Sequence, residues 1–304
     1  PARSAASPRL FATTKLVVLR WSCAVLAGLI FCLISLGGLV RNAGAGLSCP
    51  DWPLCYGKVV PPMDYQIFLE WFHRLIAGSV SIFLLGISAV IFLNKELRTR
   101  FAKYCIGALS LLAVQIVLGG LTVLHLLSPK WVSSHLAVGM AFFGVILVLA
   151  LDVWDFGTRT KPSSARKSFG VLVWLAPLAL YLQVILGGLV SSNSAGLACP
   201  DFPTCNGLWV PELQGLVKFQ FAHRLGSLAV TGVVATLIFK LWRSKGSSRL
   251  SLAAWSLPVL LFTQLTLGIG SVLFQLPLLM SVAHLAVAAA LFGTLLVVRY
   301  ETRV

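Results

Sequence analysis

The sequence predicts an all-α integral membrane protein, with eight transmembrane helices arranged as two pseudo-symmetric four-helix bundles in a parallel internal repeat. Three observations carry that reading. Apolar residues make up 58% of the 304-residue chain and charged residues 11%, against roughly 25% charged in ordinary globular proteins; mean hydropathy is +0.91. Long charge-free runs recur, most of them reaching the roughly 20 residues that cross a bilayer as a helix. Finally, whole motifs return at an offset of about half the chain length.

Residues 1–15 are rich in Ser, Ala and Arg and are expected to form a mobile cytoplasmic tail. The first span is Trp21–Val40, too long for the apolar core of a signal peptide and with no small-residue cleavage site before the next motif. Spans two to four are Leu75–Leu93, Cys105–Val123 and Val132–Leu151. They complete an N-terminal bundle over residues 16–155. A basic linker at 156–168 follows, and residues 169–304 form the second bundle. Its spans are Val171–Val190, Leu225–Phe239, Leu250–Phe274 and Leu278–Val298.

The net charge of +15 invites a nucleic-acid reading, but its placement argues against one. With the N-terminus inside, 18 of the 24 Lys and Arg fall on inner segments, leaving Arg41, Lys58, Arg74, Lys130, Lys218 and Arg224 outside. That bias is the positive-inside rule, and it puts both termini in the cytoplasm. No basic soluble domain exists to carry a nucleic acid. The lipid bilayer is the expected partner.

Leu36–Gly57 reads LGGLVRNAGAGLSCPDWPLCYG and Leu186–Gly207 reads LGGLVSSNSAGLACPDFPTCNG, identical at 14 of 22 positions with an offset of 150. The register continues through His73-Arg74 and His223-Arg224, then shifts to 149 for Gln115/Gln264 and His135/His284. Each half holds an even number of spans, so both enter from the same side and the repeat is parallel.

Four of the five histidines are repeat-paired, His73 with His223 and His135 with His284, near the outer ends of even-numbered spans. Ionisable groups in spans are costly and mark functional sites. Facing imidazoles at one depth in a four-helix bundle suit axial haem ligation. Interhelical hydrogen bonding is the plainer alternative; zinc is a weaker rival, because no acidic or thiol ligands share that depth in both halves. His125 has no counterpart and reads as a loop residue.

Glu70 stands one turn before His73, whereas the second half has Gln220 before His223. One ionisable and one neutral copy point to one reactive site and one electron-transfer or cofactor site; a simple Glu70–Arg74 pair at i, i+4 is the alternative. Arg74 and Arg224 are candidates for haem propionates, since guanidinium matches carboxylate geometry. Cys49/Cys55 and Cys199/Cys205 share a Cys-Pro-Asp-aromatic-Pro-x-Cys frame in outer loops, where disulfides persist. The glycines at 37–38, 119–120, 187–188, 268 and 270 permit close approach of a helix or a flat macrocycle.

The cysteine-loop motif, EWFHR, SSHLAVG, SVAHLAVA and the eight-span duplication together resemble the haem A synthase family, from about Leu16 to Arg299. The resemblance implies haem b held by His223 and His284, and a haem o substrate site lined by His73 and His135 with Glu70 as the catalytic carboxylate. It also implies oxidation of the C8 methyl group of haem o to a formyl group, giving haem A for terminal oxidases in a bacterial plasma membrane. Two cysteine pairs look like the bacterial branches, with a thiol-linked role for Cys49 and Cys55 left open. Delivery of haem o by a haem o synthase, an unidentified electron acceptor and a homo-oligomeric state complete the expectations. The rival readings are a dihaem membrane cytochrome b that oxidises quinol and a repeat-built transporter.

Overall fold

The computed structural model describes residues 9–157, 169–244 and 247–302. Eight helices lie within them: α1 (Arg9–Asn42), α2 (Tyr65–Leu93), α3 (Lys95–Leu124), α4 (Pro129–Asp155), α5 (Leu172–Ser192), α6 (Val217–Trp242), α7 (Ser248–Leu273) and α8 (Leu278–Glu301). Each contains a stretch long and apolar enough to cross a membrane, that of α1 being Thr14–Asn42. The chain is an all-helical, multi-pass membrane protein. Residues 1–8 of the expected tail, most of the expected linker (158–168) and the basic residues Lys245 and Arg303 lie outside the described residues.

Several helices outrun the charge-free runs that announced them. α2 begins at Tyr65, ten residues before Leu75, because the polar groups of its first turns are satisfied within the protein and need no water. Asp64 caps it, accepting from the Ile67 amide at 2.8 Å. A single residue, Asn94, joins α2 to α3; its carboxamide oxygen accepts from the Glu96 and Leu97 amides at 3.0 and 3.1 Å. Ser247 caps α7 through the Leu250 amide. Pro129 opens α4 where its missing amide costs nothing.

α1 packs on α2 and α4, and α3 packs on α2 and α4; α5 to α8 repeat this ring. The two rings meet along a seam of α1, α4, α5 and α8. Contacts there come in repeat-matched pairs. Gly38 of α1 lies against Leu285 of α8, and Gly188 of α5 against Leu136 of α4; a Cβ on either glycine would come within 2.8 Å of that leucine. Gly144 meets Phe292 and Leu296, while Gly293 meets Phe143 and Leu147. Without hydrophobic drive between lipid-bathed helices, such small-residue contacts let van der Waals packing hold the seam.

The end away from the cysteine loops is tied by ion pairs. Arg100 reaches Asp152 at 3.1 Å, and its repeat counterpart Arg249 reaches Glu301 at 3.4 Å. Arg249 also crosses to Asp155 of the first half at 2.9 Å. The Tyr300 hydroxyl lies within hydrogen-bond reach of Leu151 O, Asp152 and Asp155, so α8 is stitched to the end of α4.

Candidate haem-binding sites

Each histidine of the four sits on a glycine of the preceding helix. A Cβ on Gly37 would meet His73 Cε1 at 3.2 Å; on Gly119, His135 at 3.3 Å; on Gly187, His223 at 3.0 Å; on Gly268, His284 at 2.9 Å. The glycines therefore make room for imidazole rings, a sharper role than general helix approach. His73 lies eight residues into α2, about 12 Å at the helical rise, and the other three lie six residues, about 9 Å, into theirs.

His73 and His135 are near enough to interact electrostatically, as are His223 and His284. All four residues are half-buried. The Nδ1 atoms of His73, His135 and His284 are enclosed without a hydrogen-bond partner among the described residues. Such an orphaned nitrogen costs about 1–3 kcal/mol. Gln115 Nε2 lies 3.3 Å from His135 Nε2 and Gln264 Nε2 3.2 Å from His284 Nε2. Gln183 Nε2 lies 2.9 Å from His223 Nδ1 and donates to the His223 carbonyl at 2.7 Å. His73 has no such amide, because Leu33 takes the place of Gln183.

Two imidazoles per half, partly open to their surroundings, fit the axial demand of a haem iron whose other four ligands come from its own macrocycle. Among the described residues no group of three or more His, Cys, Asp or Glu comes together to hold a bare metal ion.

Glu70 is buried at 4% exposure. Its Oε2 accepts from the Cys49 amide at 2.8 Å and its Oε1 from Arg74 at 2.6 Å. The i, i+4 pair is present, and the carboxylate is also bound to the cysteine loop. Gln220 is equally buried but donates to the Gly196 carbonyl at 3.1 Å, leaving its own oxygen without a partner. The halves thus differ in charge and in what the side chain holds.

Both arginines come to the loops. Arg74 donates to the carbonyls of Cys49, Asp51 and Leu54 at 3.0, 2.7 and 2.5 Å. Arg224 does the same for Cys199, Asp201 and Thr204 at 2.7, 2.8 and 2.6 Å. Cys49–Cys55 and Cys199–Cys205 stand at disulfide distance, as their frame predicted.

Sequence reasoning overlooked the aspartates inside those frames. Asp51 accepts from the Tyr56 and Gly57 amides at 2.6 and 2.7 Å, and Asp201 from Asn206 and Gly207 at 2.6 and 2.9 Å as well as from the Thr204 hydroxyl. The tight turn needs positive φ at Gly57 (+67°) and Gly207 (+77°). The Gly57 amide, chiefly, holds the Asp51 carboxyl below its usual range. The Thr204 hydroxyl and the Gly207 amide bring Asp201 down from 3.8 to about 2. The available signal was the Asp and the Gly six residues later, repeated in both frames.

The loops close differently over the two halves. Trp52 lays its indole on Gly120 of α3, where a Cβ would come within 3.2 Å. Ile269 occupies that place in the second half, and Phe202 instead lies beneath Arg224 at 5.9 Å. His125 follows α3 and stacks on Trp131 at 5.4 Å, outside the paired histidines.

Known proteins resemble this chain over most of its length. The COX15-CtaA family, described as cytochrome oxidase assembly protein, matches residues 20–296. A protein named Heme A synthase from Shewanella oneidensis is 33% identical, over 88% of this chain and 92% of its own. Another of that name from Bacillus licheniformis is 28% identical over 91% and 94%, and one from Caulobacter vibrioides 25% over 88% and 91%. With the family match running through all eight helices, from within α1 to within α8, the chain belongs to the COX15-CtaA family of cytochrome oxidase assembly proteins.

Proposed function

We propose that the protein is a haem A synthase, a membrane oxidoreductase that converts the C8 methyl group of haem o to a formyl group and so supplies haem A to terminal oxidases. The observation that carries the proposal is the Glu70/Gln220 difference between two otherwise matched sites, each with two half-buried imidazoles. Two electron-carrying haems would need no such difference.

In this reading His73 and His135 would hold the substrate haem o in the first half, and His223 and His284 would hold haem b in the second. Haem b, when bound, supplies one-electron transfer. The chain's own residues do the rest. The four glycines fix the ring planes of the histidines. Glu70 takes up protons released as the methyl group is oxidised, a contribution typically worth about 10²–10⁴-fold. Arg74 pairs with that carboxylate and keeps it in place, and with Arg224 it pins the loops. Those bonds give both arginines a loop-clamping role here; the propionate role for them rests on charge alone.

Haem o would come from a haem o synthase in the same bilayer, and the electrons would pass to an acceptor outside this chain. The basic ends and both termini face the cytoplasm of a bacterial cell, with the cysteine loops outside. Pigment extraction from the purified protein tests the reading. Haem A or haem o beside haem b supports it, whereas haem b alone would make the protein an electron-transfer cytochrome.

A further inference from the structure

A cavity of about 550 Å³ opens between α1 and α4, with Arg249 of α7 at one end. Ala24, Ala27 and Gly28 form its α1 wall, and Leu147, Ala150 and Leu151 lie opposite on α4. This is not the histidine pocket. The fully enclosed α1 positions Cys23, Leu26 and Ile30 fall on the bundle interior, whereas Gly28 is one of the glycines with open space where a Cβ would stand.

The cavity is bounded along the membrane normal by two aromatic pairs. Phe31 and Phe143, with ring centroids 6.2 Å apart, close it near mid-membrane, and Trp21 and Trp154, 5.2 Å apart, flank its far end. From Phe143 to Trp154 is about 16 Å at the helical rise, close to half of a hydrocarbon core about 30 Å thick. Tryptophan at that far end sits where aromatic residues meet headgroups. One leaflet's depth is thus offered to a flexible apolar chain.

The repeat shows that this space is not imposed by the fold. Trp174, Leu178 and Arg299 stand where Ala24, Gly28 and Ala150 line the cavity, and the Arg299 guanidinium lies 3.4 Å from the centre of the Trp174 ring. Tyr300 replaces Leu151. Bulky residues therefore occupy the second position without loss of the helix ring, while small ones hold the first position open.

The polar end of the cavity is basic in its wider setting. Lys15, Arg20, Lys95, Arg98, Arg100 and Arg249 belong to the same end of the bundle. Arg249 pairs with Asp155 and Glu301 through Nη1, and its side chain remains 32% exposed. Basic pockets between helices at such an end suit anionic lipid headgroups.

We infer that this cleft binds one anionic phospholipid, an acyl chain lying between α1 and α4 and the phosphate at Arg249, wedged where the first half meets the second. A volume of this size falls within the ordinary range for ligand pockets. It is far too narrow for a helix about 10 Å across.

The test is native mass spectrometry of the full-length protein taken from vesicles of phosphatidylglycerol and phosphatidylethanolamine. The wild type should retain one phosphatidylglycerol, and A24W/G28L, which copies the residues of the other half, should lose it by about tenfold or more in occupancy. Arg249→Gln should shift the retained lipid toward phosphatidylethanolamine. Gly86→Leu, at another glycine with open space around it, should change nothing, which guards against a general effect of added bulk. Equal phosphatidylglycerol in wild type and A24W/G28L overturns the inference. So does a retained neutral isoprenoid, or loss of a dimer in place of loss of a lipid.

Discussion

Glu70 accepts a hydrogen bond from the backbone amide of Cys49 at 2.8 Å, so a buried carboxylate and the first cysteine of its loop form one unit. The charge at Glu70 and the shape of the loop are therefore coupled in the first half. In the second half Gln220 turns to Gly196 instead.

Glu70→Gln separates these two duties. The amide oxygen can still accept from Cys49, while the charge that pairs with Arg74 is gone. We expect the variant to fold with a loss of about 1–3 kcal/mol and to keep haem b. Haem A should fall on the order of 10²–10⁴-fold, with haem o or a partly oxidised haem accumulating. Wild-type haem A in the pigment extract would leave Glu70 as a loop anchor only.

His223→Ala and His284→Ala should each abolish the low-spin haem b spectrum, because in the proposed assignment each removes one of the two imidazoles that would hold the haem. His73→Ala and His135→Ala should leave that spectrum intact and stop haem A formation. Optical spectra of the four purified variants decide the assignment, and the reverse pattern would exchange the roles of the two halves.

Gly187→Ala puts a methyl group 3.0 Å from His223 Cε1, too close for the ring to stay where it is. The haem b spectrum should shift or weaken. Gly86→Ala, with nothing within 4 Å of the added Cβ, should stabilise α2 by up to about 1 kcal/mol through helix propensity. Equal spectra for Gly187→Ala and wild type would show that the glycine does not set the ring.

Asp201 links loop stability to pH. Its folded pKa is depressed to about 2 from 3.8, so its contribution is present above the unfolded value and is lost as the pH falls toward the folded one. The unfolding midpoint should therefore drop between about pH 4 and pH 2. Asp201→Asn should remove that component, leaving a flatter acid limb in a thermal melt recorded across this window. An unchanged limb would mean that the turn is held by its other bonds.

The eight helices were legible because bilayer spans need long apolar runs, and the paired histidines because the repeat marks them. The helix starts were not. α2 and α6 begin well before the charge-free runs at Leu75 and Leu225, since Glu70, Arg74 and Arg224 are satisfied by the loops and so can lie inside a helix that a charge count ends early. The glycines were visible as small residues, but only geometry shows that Gly37, Gly119, Gly187 and Gly268 each face an imidazole. The arginine contacts were hidden for a different reason. They end on backbone carbonyls, and a carbonyl leaves no trace in residue type.

The paired seam contacts, Gly38 with Leu285 and Gly188 with Leu136, have the form of an isologous interface, in which each contact made by one subunit is returned by the other. A half-length ancestor assembling as a two-fold homodimer would make such contacts between separate chains. In that dimer every substitution appears twice, so a carboxylate at one site brings a carboxylate at the other. Joining the copies through the stretch between Asp155 and Leu172 removes that constraint. Only after fusion can one copy carry Glu70 while the other carries Gln220, or one flank keep Gly28 while the other grows Leu178.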